Sequence, residues 1–100
     1  MLAEENANSN TTAKRFVREL QDKESFTSVF LTRDKTVSVG KNGKPFMSVV
    51  LADNSGSVDA RVWDNIDYVA DLFQSGDLVR VKGAVQIFQG RKQVVVHKLE

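Results

Sequence analysis

Apolar positions along the chain change their spacing several times, and each change marks an element. Residues 1–13 are dominated by Asn, Glu, Ser and Thr and hold almost nothing that can be buried. Such a stretch cannot offset the entropy cost of ordering, so a disordered lead-in is expected there. Residues 14–24 (KRFVRELQDKE) offer Phe16, Val17 and Leu20, enough for a short arm of about one helical turn docked on the edge of a domain that spans 25–100. From there the pattern is β-like. The run 26–39 (FTSVFLTRDKTVSV) is rich in β-branched residues and longer than an ordinary strand, so it is expected to bend sharply and serve two sheet edges.

The turn cluster GKNGKP leads into a second strand, 45–52 (PFMSVVLA), and Asp53-Asn54-Ser55-Gly56 closes a hairpin onto a third, 57–63 (SVDARVW). The period then becomes helical. Asp64 reads as an N-cap, and Ile66, Val69, Ala70 and Phe73 form one apolar face that Ser75-Gly76 ends. A fourth strand, 78–88 (LVRVKGAVQIF), alternates cleanly except at Gly83, where a bulge or barrel corner is expected. Gln89-Gly90 is a tight turn into a fifth strand, 92–99 (KQVVVHKL). Three strands, a helix and a two-stranded hairpin, with a bent first strand, predict an all-β fold. It is a five-stranded OB-fold barrel with one short helix between strands three and four.

Composition narrows the chemistry. The 100 residues suffice for one domain, and 14 basic against 13 acidic side chains give a net charge of +1, which excludes a whole-molecule basic field. Residues 1–24 carry four cations against five anions, so the remainder is mildly basic. Cysteine is absent and His97 is the lone histidine, so no thiolate nucleophile, disulfide framework or His/Cys metal site is expected. Asp53, Asp64 and Asp77 sit at turns or a helix start, where Asp serves local hydrogen bonding. No catalytic residues, metal or cofactor are therefore expected. The N-terminus has neither the basic nor the apolar region of a secretory signal, and no apolar run is long enough to span a membrane, so a cytoplasmic location is expected.

The stretches NGKPFMSVVLADNSGSVDARVWD (42–64) and GDLVRVKGAVQIFQGRKQVVV (76–96) are similar to one bacterial family. They resemble the N-terminal OB domain of the HD-domain 3′-to-5′ exoribonucleases, and the Lys14-Arg15-Phe16-Val17 arm and SVFLTRDK (28–35) fit that family's approach to its first strand. The likeness covers roughly 14–99, although single pieces also resemble tRNA-anticodon-binding and single-strand-binding OB domains. The resemblance implies a hydrolytic HD domain after the barrel in the parent chain. This sequence stops at the fifth strand and lacks the His-Asp ligands of such a domain.

Strand alternation sorts the barrel's faces. Met47, Val49 and Leu51, with Val58, Ala60 and Val62, should fill the interior. Phe46, Arg61 and Trp63 then share the outer face of strands two and three, the surface on which OB folds bind oligonucleotides. Aromatic rings beside a guanidinium suit a single strand, because bases stack and the cation meets phosphate. Phe46 has a second reading as a barrel-end plug, and Trp63 as a cover for the helix–barrel seam. Two loops flank the face. One carries Lys41 and Lys44, which also read as solubilising turn residues. The other carries Phe88, Arg91 and Lys92, where an exposed Phe has little structural use. Arg33 and Lys35 on the first strand are candidates to extend the basic track, with Asp34 between them.

The expected function is a non-catalytic module that binds single-stranded RNA or DNA, RNA favoured, with low sequence preference, and presents it to a nuclease domain of the parent chain. The rival reading is a protein-docking or oligomerisation domain whose aromatics anchor an interface.

Overall fold

The computed structural model describes residues 15–100; the expected lead-in of 1–13, and Lys14 of the arm, lie outside the described residues. A 3-10 turn (Val17–Glu19) precedes strands β1 (Ser25–Val39), β2 (Pro45–Asp53) and β3 (Gly56–Val62). A short helix α1 (Ile66–Ala70) follows, then strands β4 (Leu78–Phe88) and β5 (Arg91–Leu99). The strands close a barrel in the order β1-β2-β3-β5-β4.

The long first strand does serve two edges. Its N-terminal half pairs with β4 and its C-terminal half with β2, both antiparallel. The bend falls between Arg33 and Thr36, where Asp34 takes a left-handed backbone (φ 54°) that Asp tolerates better than most residues. The second corner is at Gly83, where the β4–β5 register shifts. A Cβ there would stand 2.5 Å from the Val95 carbonyl oxygen, so only glycine lets the strands approach this closely. The last seam is parallel and short, joining Asp59–Val62 to Gln93–Val96.

The interior holds the residues that alternation selects. Met47, Val49 and Leu51 from β2 and Val58, Ala60 and Val62 from β3 are buried with Phe30, Val81, Val85 and Val94. Thr32 is fully buried yet satisfied, its hydroxyl donating to the Asp77 carbonyl at 2.9 Å. Ile66, Val69 and Phe73 join the same core and close one end of the barrel.

Two details of the helix differ from expectation. Asp64 is not the N-cap; Asn65 is, in a left-handed conformation (φ 54°) without a side-chain cap. A capping Asp needs extended backbone, whereas the chain reverses out of β3 through a left-handed residue, which Asn accommodates. The helix also ends at Ala70 rather than running to Ser75-Gly76. Its last turn tightens, with Leu72 N–H donating to the Val69 carbonyl, and Phe73 is buried from beyond the helix.

The arm is integral to the barrel. Val17 and Leu20 are buried in the core, and the backbone N–H groups of Val17 and Arg18 donate to Asp53 Oδ2 (2.9 Å) and Ser55 Oγ (3.0 Å). Asp53 thus has the local structural role expected of it, also accepting from Ser55 N–H at 2.8 Å. Arg15 forks onto Glu24 at 2.7 and 2.9 Å. That hydrogen bond, outweighing partial burial, holds the Glu24 carboxyl below the usual carboxylate range and raises Arg15. Among the described residues no helix is long and apolar enough to cross a membrane.

Candidate nucleic-acid interface

Antiparallel and parallel partners in a sheet share a face, so the register lays out the outer surface row by row. Ser38 lies beside Phe46, Thr36 beside Ser48 and Arg61, and Arg33 beside Val50 and Asp59. The parallel seam then carries Gln93 to Asp59 and Val95 to Arg61. Phe46, Ser48, Val50 and Arg61 are all half-buried, which makes this a shallow trough.

Three expected site residues meet in it. The rings of Phe46 and Trp63 lie 4.9 Å apart between centroids, tilted by 33°, and the Arg61 guanidinium sits 5.8 Å from the Phe46 ring. A weak bond from Arg61 Nη1 to the Ala60 carbonyl (3.3 Å) helps hold the guanidinium over the sheet. Trp63 is 46% exposed, so its indole leaves a face open to solvent while packing on Phe46. Neither ring belongs to the buried core.

The β4–β5 hairpin brings its residues to the same trough. Gln89 and Gly90 both take positive φ (52° and 79°), the geometry of a two-residue hairpin turn whose twist matches its strands. Phe88, 53% exposed, stands with Arg91 and Lys92 around a cleft of about 140 Å³ that Asp59, Arg61 and Gln93 also line. Lys41 and Lys44 project from the β1–β2 turn. That turn is braced by Gly40 N–H to the Lys44 carbonyl and by Lys44 N–H to Asn42 Oδ1. Arg33, Lys41, Lys44, Arg91 and Lys92 are exposed and make no ion pair among the described residues.

Lys35 is the correction to the expected track. Past the bend in β1 its ammonium turns to the end of α1, donating at 2.7 Å to the carbonyls of both Ala70 and Phe73 and lying 4.9 Å from the Phe73 ring. A cation fits there because the last helical carbonyls lack partners and carry the negative end of the dipole. It anchors the end of the helix, and its ammonium is taken up by those two carbonyls.

Asp59 and Gln93 are cleft residues that sequence reasoning did not place in the site. Alternation does put Asp59 on the outer face. Gln93 arrives through the parallel β3–β5 pairing, which no local pattern announces, and is steadied by Gln86 Nε2 donating to its Oε1 at 3.2 Å.

A closed five-stranded barrel with an aromatic–cationic trough flanked by two basic loops defines an OB-fold domain of nucleic-acid-binding type. Residues 19–100 match the family described as the OB-fold nucleic acid binding domain, and the chain belongs to that family. It is similar to the 3′-5′ exoribonuclease YhaM of Halalkalibacterium halodurans, 33% identical over 73 residues that make up 73% of this chain and 23% of that enzyme. The chain spans 23–24% of the length of the curated relatives it matches. Among solved structures it resembles asparaginyl-tRNA synthetase from Pyrococcus horikoshii, with a TM-score of 0.72 at 23% identity, over 90% of this chain and 22% of that one. It also resembles the mitochondrial single-stranded DNA binding protein Rim1 from S. cerevisiae, with a TM-score of 0.68 at 14% identity, over 80% and 94% of the two chains. At these identities the two structures establish the fold.

Proposed function

We propose that this domain binds single-stranded nucleic acid with low sequence preference, favours RNA, and presents the strand to a nuclease domain of its parent chain. The observation that carries the reading is the half-buried Phe46 packed on the exposed Trp63 with Arg61 beside it, on the outer sheet face between two cationic loops. Bases stack on Phe46, Trp63 and Phe88, and every base has a face to offer, so the contact is tolerant of sequence. Arg61, Arg91, Lys92, Lys41, Lys44 and Arg33 meet phosphates. Family membership supports nucleic acid as the ligand, and the likeness to an exoribonuclease supports RNA and a nuclease partner domain.

The test is an amide NMR titration with short unstructured RNA and DNA oligomers at low and high salt. Shifts should concentrate on Phe46, Arg61, Trp63 and residues 88–92, and weaken with salt. With about four of these six cations neutralising a phosphate at once, log K should fall against log salt with a slope near −3. Absence of shifts at near-millimolar strand would refute the reading. Concentration-dependent self-association abolished by Phe88→Ser would replace it with the docking one.

A further inference from the structure

We infer that Arg18, on the N-terminal arm, extends the strand-binding track off the sheet face by forming a backbone-phosphate site with Arg91 and Lys92. The inference rests on the single-strand reading above and adds to it a residue from outside the five strands. Its starting point is a second cleft, about 370 Å³, lined by Arg18, Arg91 and Lys92 together with Ser55 of the β2–β3 turn and Gly56 and Ser57 at the start of β3. This cleft shares Asp59, Arg91 and Lys92 with the smaller one under Phe88 and Arg61. The two form one furrow. It leads from the aromatic trough, past the β4–β5 hairpin, to the arm.

The arm is built to hold a cation there. Burial of Val17 on one side of Arg18, and the bond from Arg18 N–H to Ser55 Oγ at 3.0 Å, fix the backbone at position 18 against the β2–β3 turn. Glu19, the nearest acid in sequence, is turned back onto the arm, accepting from Phe16 N–H at 3.1 Å and lying 3.8 Å from Arg15. Arg15 is occupied by Glu24. Arg18, Arg91 and Lys92 make no ion pair among the described residues; Lys92 is felt electrostatically by Glu24 without bonding to it. Three cations with no ion pair among the described residues line the furrow with Ser55, Gly56 and Ser57, and Asp59 is the acid they face there. A phosphodiester, with its fixed charge and several acceptor oxygens, fits those donors. The bases of the same strand remain over Phe46, Trp63 and Phe88.

The experiment compares the full chain with Arg18→Ala, Arg18→Lys and Lys82→Ala. Lys82 is an exposed cation on the β4 side of the barrel, beside Thr27 and His97, and controls for net charge. Probes are unstructured oligouridylates from roughly 4 to 16 nucleotides, the span of OB site sizes, and inorganic phosphate alone. Arg18→Ala should leave the shortest strands unaffected, weaken the longer ones several-fold and reduce the salt slope by about 0.7, one single-strand contact. Arg18→Lys should restore the slope, and Lys82→Ala should not change it.

If Arg18→Ala and Lys82→Ala behave alike at every length, the furrow assignment is overturned and the sheet-face reading stands. If Arg18→Ala weakens inorganic phosphate but no strand, the furrow is a free-anion site and the inference fails. If the unaltered chain binds no strand at any length, the failure lies with the single-strand reading itself.

Discussion

Replacing Phe46 with Ala tests the site where its geometry is most explicit. The ring packs on Trp63 at 4.9 Å and lies 5.8 Å from the Arg61 guanidinium, so it supports both neighbours and, on the proposed reading, is a stacking platform. Loss of a base–aromatic stack costs about 1–3 kcal/mol, or roughly 5- to 150-fold in affinity. The aromatic pair adds about 0.5–1.5 kcal/mol of coupling, so Phe46→Ala and Trp63→Ala should be non-additive. The double variant should lose less than the sum of the singles by at least about 0.5 kcal/mol. Anisotropy of a labelled oligouridylate gives the affinities. Trp63 is the only tryptophan in the chain, so its emission reports stacking at this place directly. Phe46→Leu, which keeps apolar bulk, should retain the fold while losing most of the binding. If Phe46→Ala binds within twofold of the unaltered chain and still quenches Trp63 on titration, the stacking account is wrong.

Lys35→Met should lower stability by about 1–2 kcal/mol in urea melts, because the helix-end carbonyl of Ala70 and that of Phe73 just beyond it lose a charged donor, while strand affinity stays unchanged. Gly83→Ala should cost about 1–3 kcal/mol, read as a fall in Tm, since the new methyl meets the Val95 carbonyl oxygen. Asp59→Asn removes the carboxylate that lines the furrow among the described residues and should tighten strand binding a few-fold with a steeper salt slope. Glu24 has a lowered pKa in the folded state, so the stability it contributes is present above the ordinary carboxylate range and lost as pH falls through the lowered value. Acid titration followed by urea melts should show this loss, and Glu24→Gln should flatten that part of the pH profile.

Much of the barrel was legible because its strands alternate. The parity of Met47, Val49 and Leu51 against Phe46, Ser48 and Val50 is enough to say which side is inside. It follows that Phe46, Arg61 and Trp63 share the other. Gly83 announced its corner by breaking an otherwise regular run of valines. Lys35 was opaque for the opposite reason. The left-handed residue at Asp34 breaks the alternation on which its placement depended, and its partners lie on an element 35 residues or more away. Asn65 displaced Asp64 because backbone handedness, rather than side-chain type, decided where the helix began. Gln93 and Arg18 reach the furrow only through tertiary closure, which periodicity does not encode.

The parallel seam between β3 and β5 gives the barrel an uneven mechanical profile. It is the shortest pairing in the sheet, four residues against four, and it joins segments far apart in the chain. Pairings of that kind contribute late to folding and are natural places for local opening. Asp59 and Arg61 lie on one side of this line, Gln93 and the Arg91–Lys92 end of β5 on the other. A strand lying in the furrow spans it like a suture across a join. On the proposed reading, occupancy and closure are one equilibrium: a bound strand should slow amide exchange along β3 and β5, because a barrel opened there has no furrow left to fill.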